Sequence, residues 1–405
     1  MNKPPFSTNR REFLIRAAAV GGAAALGGRQ LFAADSNATG GAAPVPLAPP
    51  DKQPPKLEVP ELPARKVGWA IVGLGQLALE EIMPAFAECK WSAPVALVSG
   101  HPEKAKKVAA AYGMNPEAIY NYENYDRLAE DKRVEVIYIV LPNSMHADFT
   151  IRGLKAGKHV LCEKPMAVTV EECERMIAAA KDAKRTLGVA YRLHSEPLNR
   201  KVMELCVARA FGKIKTFESS NCQDVKAPNI RLSGPLGGGP VGDVGVYSIN
   251  AARYVIGEEP IEVAAFAHQP ADDPRFREVP ESVVFTLRYP SGALANCNCS
   301  FGSSRSERYR VICAEGWIEM DPAFSYRGLR LRTKRGDAKE GKAAENAEIL
   351  IEQVDHFAAE MDHFSDCLLH GTALRTPGEM GLADLRIVVA IAEAARTGKT
   401  VKINP

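Results

Sequence analysis

Short apolar runs and longer amphipathic stretches alternate along residues 66–190. The apolar runs have the length of buried strands, and the stretches between them have helical periodicity. The predicted strands are 67–72, 95–98, 134–140, 159–162 and 187–190, and the clearest predicted helices are 103–111, 146–156 and 170–183. Regular alternation of strands and helices predicts a doubly wound parallel sheet, so we expect an α/β domain over residues 66–190.

The pattern changes after residue 190, where strand-length apolar runs follow one another through short turns. These runs are 214–219, 261–267, 282–288, 293–301 and 308–314, and Pro290-Ser291-Gly292 is typical of a hairpin turn. Helical periodicity returns at 243–256, 352–369 and 382–397. Residues 191–405 are therefore expected to form an α+β domain with a large, mostly antiparallel open sheet. Its last helix is free to pack back on the first domain.

The first 35 residues have a composition of their own. Arg10 and Arg11 precede an Ala- and Gly-rich stretch at 15–28, which is too short and too weakly apolar to remain as a membrane span. An arginine pair before such a stretch is typical of a twin-arginine export signal, with cleavage near Ala34 or Ala38. We expect a periplasmic protein without membrane anchoring after signal cleavage. The alternative is a disordered basic N-terminus.

Prolines recur at close intervals through residues 36–65. Such a sequence forms neither a helix nor a central strand, and it favours an extended polyproline conformation. Two interpretations of this proline-rich arm stay open. It is either a flexible linker or an arm that packs over its own or a neighbouring subunit.

Composition and charge exclude some classes of function. The 405 residues contain 51 Lys and Arg against 49 Asp and Glu, and the two signs are interspersed along the chain. Binding to nucleic acid would need a basic face, so no nucleic-acid partner is expected. The nine cysteines show no ligand spacing, and Cys297 and Cys299 are best explained as small buried side chains. No metal site is expected.

A glycine motif follows the first predicted strand and opens a helix. In the G-x-G-x-x-G/A fingerprint the first glycine permits a tight turn, and the second lets the backbone approach a pyrophosphate. The third small residue lets the helix pack on the strand with its N-terminal amides directed at the phosphates. This context predicts a Rossmann domain that binds a dinucleotide through Gly73, Gly75, Gln76, Leu77 and Ala78.

The end of the second predicted strand indicates which dinucleotide is bound. NAD-binding versions of the fold place Asp or Glu there to accept the ribose 2′-hydroxyl, but this chain has Ser99-Gly100-His101-Pro102-Glu103-Lys104. A hydroxyl, open backbone amides and a lysine suit a 2′-phosphate. We therefore expect NADP(H), held by Ser99, Gly100 and Lys104, with His101 a further candidate. The alternative for Lys104 is a solvated lysine at a helix start.

Two more loops follow predicted parallel strands and should line the same crevice. Pro142, Asn143 and His146 come after the strand 134–140, and Glu163 and Lys164 come after the strand 159–162. The first loop is expected to touch the nicotinamide ribose. The alternative for His146 is a helix-start residue without a ligand. Lys164, set before a proline, is expected to reach into the crevice.

Four motifs together resemble the Gfo/Idh/MocA family of oxidoreductases. They are the Gly73 fingerprint, Pro142-Asn143-x-x-His146, Glu163-Lys164-Pro165 and Gly238-Gly239-Pro240-x-x-Asp243-x-Gly245-x-Tyr247. The resemblance covers nearly everything from Lys66 onward. It implies an NADP-dependent oxidoreductase that acts on the CH–OH groups of small-molecule sugars.

The resemblance also implies roles for individual residues. Lys164 would lie beside substrate and nicotinamide, and Tyr247 would stand where most members have an acid–base histidine. Asp243 lies four residues before Tyr247 and so on the same helical face. Arg192 would lie near the nicotinamide or the substrate, and Arg231 would touch the cofactor. For both arginines the alternative is a structural ion pair.

These residue types fit the oxidation of a sugar hydroxyl. The reaction needs a base for the O–H proton while hydride leaves the carbon. A phenol is a weak base at neutral pH, but the ammonium of Lys164 would favour the phenolate of Tyr247. Asp243 would either hydrogen-bond the sugar or orient Lys164. The alternative for Tyr247 is an ordinary tyrosine of an amphipathic helix.

Three functions are compatible with the sequence. In the first, which we favour because an exported enzyme meets no free nicotinamide pool, tightly bound NADP(H) oxidises an aldose to its lactone and then reduces a second sugar. The second is a sugar or polyol dehydrogenase or reductase with exchangeable NADP(H). The third is an exported, non-catalytic sugar-binding protein. At the level of the family, a homodimer or homotetramer is expected.

Overall fold

The computed structural model describes residues 65–336 and 344–403. The predicted export signal and the proline-rich arm lie outside these described residues. Within them, no helix is long and apolar enough to cross a membrane.

A six-stranded parallel sheet forms the first half of the described chain. Its strands follow the order β3-β2-β1-β4-β5-β6, so the chain winds outward from β1 in both directions. Ligands of such sheets bind beyond the carboxyl ends of the strands where the order reverses, here between β1 and β4. The strands are β1 (Val67–Val72), β2 (Ser92–Val98), β3 (Ile119–Tyr120), β4 (Val136–Ile139), β5 (His159–Glu163) and β6 (Leu187–Ala190).

Helices cover both faces of this sheet. A capping box at the start of one of them shows how local sequence sets an element: the Thr169 hydroxyl accepts from the Glu172 amide, and the Glu172 carboxylate accepts from the Thr169 amide. The helices are α1 (a π-helical turn Ala78–Ile82 continued by Met83–Ala85), α2 (Pro102–Ala111), α3 (His146–Lys155) and α4 (Val170–Ala183).

A nine-stranded sheet forms most of the second half. Its order is β14-β13-β12-β11-β7-β10-β9-β8-β15, and every neighbouring pair is antiparallel except β7 with β10. The strands are β7 (Ile214–Asp224), β8 (Glu262–His268), β9 (Ser282–Arg288), β10 (Leu294–Ser300), β11 (Gly302–Cys313), β12 (Gly316–Met320), β13 (Leu331–Arg335), β14 (Glu345–Ile349) and β15 (Val401–Lys402).

Four further helices connect the two sheets. They are α5 (Pro197–Val207), α6 (a π-helical turn Val241–Gly245 continued by Val246–Ile256), α7 (His356–His370) and α8 (Gly378–Thr397). Helix α7 returns to the parallel sheet, where the ring of Phe364 meets that of Trp69 at 5.5 Å. Helix α8 packs against α4 and also against β8. The last two helices therefore join the two halves through shared apolar cores.

The predicted fold class is confirmed, with a doubly wound parallel sheet followed by a mostly antiparallel one. The predicted hairpin turn at 290–292 connects β9 to β10, and Gly292 has a φ of +85° there. Helix α5 and the strands β12, β13 and β14 were not predicted. Two of these strands, β13 (LRTKR) and β14 (ENAEI), carry charged side chains and so lack an apolar strand pattern.

Candidate active site

The glycine motif leaves the backbone open at the end of β1. Gly73 has a φ of +96°, and a Cβ there would collide with the carbonyl oxygen of Val140. A Cβ on Gly75 would meet nothing within 4 Å. Ala78 is fully buried at the start of α1, which lets the helix close on the strand. Gly73 therefore serves the turn, and Gly75 leaves space for a pyrophosphate to approach the backbone.

The loop after β2 lies beside the glycine motif. The Ser99 hydroxyl accepts from the amide of His101 at 3.1 Å, and the Lys104 ammonium donates to the carbonyl of Leu74 at 3.1 Å. The ring of Tyr122 stands 3.1 Å from where a Cβ of Gly100 would lie. The structure thus brings the two predicted cofactor loops together through Lys104. These residues fit a dinucleotide with a phosphate near Ser99, and their contacts with it stay a prediction.

The side chains of two residues in the glycine motif make few contacts with the rest of the site. Gln76 is exposed and donates to the Glu80 carboxylate at 3.0 Å, while Leu77 is half-buried. Both residues stand at the first turn of the helix that begins there. Their predicted role depends on backbone amides and not on their side chains.

His146 is buried between two loops that line the crevice. One ring nitrogen lies 2.8 Å from the carbonyl oxygen of Pro165, and the other lies 2.9 Å from that of Leu141. Burial lowers the pKa of His146, although both carbonyls oppose that effect. The lowered pKa makes the ring neutral, so one nitrogen donates to one of these carbonyls and the other nitrogen carries no proton. The ring packs between the loops after β4 and β5. His146 is 0% exposed, which corrects the prediction that its side chain touches the nicotinamide ribose.

The same loop meets the glycine run that precedes α6. Pro142 begins a short turn, and the Asn143 side-chain amide donates to the carbonyl of Gly237 at 2.8 Å. A Cβ on Gly237 would stand 2.8 Å from that of Asn143, and one on Gly238 would collide with the carbonyl of Arg231. Gly237 and Gly238 are therefore required by protein packing.

An ion-pair cluster joins the two halves at the end of β5. The Lys164 ammonium donates to the carboxylate of Asp243 at 3.0 Å and to its backbone carbonyl at 3.0 Å. The Arg231 guanidinium donates to the second carboxylate oxygen at 2.7 Å. The Gln223 amide, on β7, stands 3.4 Å from that same oxygen. Both oxygens of Asp243 are thus engaged, and its predicted role in orienting Lys164 is the one that the geometry favours.

The charges in this cluster hold each other ionised. Burial alone would raise the pKa of Asp243, but Lys164 and Arg231 outweigh it and keep that pKa well below its usual range. Burial alone would lower the pKa of Lys164, and Asp243, Tyr247 and Glu163 together reverse this and hold that pKa above its ordinary value. Lys164 is consequently a permanent cation at neutral pH.

Tyr247 lies directly beside this cation on the first turns of α6. The Lys164 ammonium is 4.9 Å from the centre of the Tyr247 ring, and the Phe324 ring is 5.8 Å away. The side chain is half-buried, and its hydroxyl makes no hydrogen bond with any described residue. Gly245 lets this part of α6 approach β10, where a Cβ would be 3.1 Å from the Cys299 sulfur. The phenol is therefore fixed in place while its oxygen stays available.

Arg192 occupies the centre of an aromatic box at the end of β6. Its guanidinium lies 4.6 Å from the ring centre of Tyr326, 5.4 Å from that of Tyr247 and 5.8 Å from that of Phe357. It donates to the carbonyls of Phe324 and Ser325 and stands 2.8 Å from a ring nitrogen of His356. Arg192 thus lies beside Tyr247, where its two terminal nitrogens hold protein loops and form no ion pair with any described residue. Its contact with the nicotinamide or the substrate stays a prediction.

The carboxyl of Glu163 turns away from the crevice toward α7. It accepts from the Tyr138 hydroxyl at 2.8 Å, and burial raises its pKa. Glu360 of α7 lies nearby, is 5% exposed, and has no hydrogen-bond partner on either carboxyl oxygen among the described residues. Burial raises the pKa of Glu360 well above its ordinary value, and Glu163 adds to that effect. Two buried carboxyls therefore stand beneath the site.

Sequence reasoning missed several residues of this region, namely Tyr138, Gln223, Phe324, Tyr326, His356 and Glu360. They come from strands, a loop and a helix that carry no motif. Only one signal was available: polar residues recur among the buried positions of α7, where an apolar face was expected.

The chain belongs to the Gfo/Idh/MocA oxidoreductases. The model described as the oxidoreductase family with an NAD-binding Rossmann fold matches residues 67–191. The model of the GFO/IDH/MocA C-terminal domain matches residues 199–319. Together the two matches span most of the described chain, and they agree with the family predicted from the four motifs.

Solved structures and curated relatives extend this result. The crystal structure of an aldose-aldose oxidoreductase from Caulobacter crescentus is 43% identical with a TM-score of 0.79, and the match covers 84% of this chain and 100% of that one. A D-xylose 1-dehydrogenase [NADP(+)] from Haloarcula marismortui is 32% identical over 84% of this chain and 93% of its own length. A 3-ketoreductase from Actinomadura kijaniata, solved with NADP, shares the fold at 24% identity and a TM-score of 0.72, covering 82% of this chain and 98% of its own.

These comparisons confirm the predicted family and fold class. The NADP(H) cofactor and the class of sugar oxidoreductase that the sequence predicts agree with them.

Proposed function

We propose that the protein is an NADP(H)-dependent sugar oxidoreductase that retains its cofactor. It would oxidise an aldose to its lactone and then reduce a second sugar in the same site, as glucose-fructose oxidoreductase does. The observation that carries this proposal is the Tyr247 side chain, whose hydroxyl makes no hydrogen bond within residues 65–336 and 344–403 and whose ring lies beside the ammonium of Lys164.

Tyr247 is the acid–base group of this proposal. In the first half-reaction its oxygen accepts the proton of the anomeric hydroxyl, while the C–H bond breaks and the carbonyl of the lactone forms. The chemistry that a nicotinamide supplies when bound is hydride transfer to and from carbon. In the second half-reaction Tyr247 returns the proton to the oxygen of the new alcohol. Between the two half-reactions Tyr247 carries this proton, and the Lys164 ammonium is held 4.9 Å from the centre of its ring.

Asp243 and Arg231 support this chemistry indirectly. Asp243 uses one carboxylate oxygen for Lys164 and the other for Arg231, so it fixes the ammonium relative to Tyr247. A single lysine side chain would otherwise be free to rotate away from the phenol. We therefore assign Lys164 and Tyr247 to the reacting atoms and Asp243 to their orientation.

The two-sugar cycle has two supports. The first is the likeness to a protein named aldose-aldose oxidoreductase, over its whole length. The second is the predicted export signal at residues 1–35, because a periplasmic enzyme needs a second substrate to regenerate bound cofactor. We propose the periplasm as its location on the same ground.

A second candidate is a sugar dehydrogenase that exchanges soluble NADP(H). It is favoured by the likeness to the D-xylose 1-dehydrogenase [NADP(+)] of Haloarcula marismortui. This function needs the same acid–base residues and differs only in whether the cofactor leaves between turnovers.

One experiment separates the two candidates. The protein is purified without added cofactor and denatured, and the supernatant is assayed for released NADP(H). Stoichiometric release, with reduction by an aldose and reoxidation by a ketose or second aldose, supports the two-sugar cycle. An empty protein that turns over only with added NADP supports the dehydrogenase. No change in cofactor absorbance with any sugar contradicts both.

We also propose that copies of the chain associate through the outer face of the nine-stranded sheet. Phe266 and Val284 are cross-strand partners on that face, and they are 73% and 49% exposed. Light scattering during size-exclusion chromatography tests this, since Phe266→Asp should shift a dimer or tetramer toward monomer.

A further inference from the structure

The loop between β12 and β13, residues 321–330, folds over the candidate active site. It is fastened on several sides: Arg192 donates to the carbonyls of Phe324 and Ser325, and the Ala323 amide donates to the carbonyl of Glu307 at 2.6 Å. Farther along, the Gly328 amide donates to the Gln353 side chain at 2.8 Å. The loop is thus held in one conformation by contacts with both halves of the protein.

Tyr326 lies in the middle of this loop. One side of its ring packs on the Arg192 guanidinium at 4.6 Å, and its edge meets the Phe357 ring at 5.2 Å. The residue is nevertheless 39% exposed, and its hydroxyl makes no hydrogen bond with any described residue. A large aromatic side chain is therefore ordered by its ring, while its polar end is left to an outside partner.

The surroundings of Tyr326 place it in the same site as the predicted catalytic groups. Burial raises the pKa of Tyr326 to about 12, the charge of Tyr247 raises it as well, and Arg192 and Lys164 act in the opposite direction. The charge of Tyr326 also contributes to raising the pKa of Arg231. At neutral pH the Tyr326 hydroxyl therefore keeps its proton, and it is both a hydrogen-bond donor and an acceptor.

We propose that Tyr326 is a sugar-binding residue, whose hydroxyl hydrogen-bonds a hydroxyl of the substrate away from the reacting carbon. The site would then hold two phenols with different tasks. Tyr247 lies beside Lys164 and exchanges the proton, whereas Tyr326 keeps its own and selects the sugar. This inference rests on the proposed function, because it requires that sugars bind beside Tyr247.

Position on a loop makes Tyr326 a determinant of specificity. Tyr326 itself has no part in the glycine motif or the Lys164 cluster, so the residue at this position can vary without loss of the chemistry. A hydroxyl aimed at one sugar hydroxyl also discriminates well, since an analogue that lacks the hydroxyl leaves a polar group unpaired.

The test is Tyr326→Phe in the full-length protein with its retained cofactor. Phenylalanine keeps the ring against Arg192 and Phe357 and removes only the hydroxyl. We expect KM for the preferred aldose to rise about three- to tenfold, the range for one neutral hydrogen bond, with kcat changed less. Tyr112→Phe is the matched control, because Tyr112 is 40% exposed and directly follows α2, away from the loop.

A series of deoxy sugars sharpens the result. If Tyr326 contacts one hydroxyl, the rise in KM disappears for the deoxy sugar that lacks that hydroxyl and persists for the others. An unchanged KM, or a rise that is equal for every deoxy sugar, would overturn the assignment of Tyr326. The unaltered protein is assayed on the same sugars. If the unaltered protein oxidises none of these sugars, the proposed function fails and this inference fails with it. If the unaltered protein is active and Tyr326→Phe has the same KM, only this inference is overturned.

Discussion

The two ends of the crevice are built by opposite means. The nucleotide end consists of one short motif after β1 and one loop after β2, and its key property is open backbone at Gly75. The sugar end gathers Lys164, Arg231, Asp243 and Tyr247 from segments about 80 residues apart, and its key property is a set of fixed charges. A nucleotide can be bound by the backbone of one or two short segments. Proton transfer from a sugar needs side chains that only the whole fold brings together.

This difference predicts how each end fails. At the nucleotide end a substitution should change which cofactor binds, or how tightly it binds. It should leave the turnover rate unchanged once cofactor and sugar are both bound. At the sugar end a substitution should change turnover and leave the cofactor in place. Cofactor binding and turnover are therefore measured for each variant at the two ends. A variant that changed the quantity assigned to the other end would contradict this difference.

The largest effect is expected for Tyr247→Phe. Loss of the acid–base hydroxyl should lower kcat by about 100- to 10,000-fold, while the cofactor released on denaturation stays stoichiometric. Steady-state kinetics and absorbance measure the two. Tyr254→Phe is the control on the same helix, because that hydroxyl bonds Asn199 at 3.0 Å and lies outside the cluster. Activity of the Tyr247 variant within a few-fold of the unaltered enzyme would remove Tyr247 from the mechanism.

Two glycines of the motif form a matched pair. Gly75→Ala should fold normally, because its Cβ meets nothing within 4 Å, and yet lower the affinity for NADP(H) at least about tenfold by occupying the phosphate space. Gly73→Ala should cost about 1–3 kcal/mol of stability, because of its φ of +96° and the collision with Val140. Thermal unfolding and cofactor titration distinguish them. Equal effects of the two on stability would show that Gly75 is also structural.

Ser99→Asp tests the choice of cofactor. The hydroxyl of Ser99 accepts from the His101 amide, and an aspartate can keep that bond while it adds a negative charge where a 2′-phosphate is predicted. We expect the preference for NADP over NAD to fall at least about tenfold, with kcat for the bound cofactor little changed. Dissociation constants for both cofactors provide the measurement. An unchanged ratio would place the 2′-phosphate elsewhere.

The same contrast explains how far the sequence could be interpreted. The parallel sheet, the glycine motif and the loops at 99–104 and 142–146 depend on local patterns, so they were predictable from residue order. The antiparallel class of the second sheet was predictable for the same reason. The contacts of Arg192 with Phe324 and Tyr326 depend on tertiary packing across more than 130 residues, and no local pattern encodes them. Similarly, His146 occupies a motif position, but only the fold shows that its ring is buried between the carbonyls of Leu141 and Pro165.

The smallest expected effect concerns stability beneath the sugar end. Burial raises the pKa of Glu360 well above its ordinary value of 4.5, so above that pH the folded protein retains a proton that the unfolded chain has released. Stability should therefore fall as pH rises above about 4.5. Glu360→Gln removes this loss: we expect Tm a few degrees higher than that of the unaltered protein at pH 8 and no gain at pH 4. Glu319→Gln is the matched control, since Glu319 is equally buried at 5% but is ion-paired with Arg310 and Arg332, and its loss should lower Tm at pH 8. If Glu360→Gln behaved like this control, Glu360 would be an ionised partner of Arg192, and the sugar end would depend on a second fixed charge beneath Lys164.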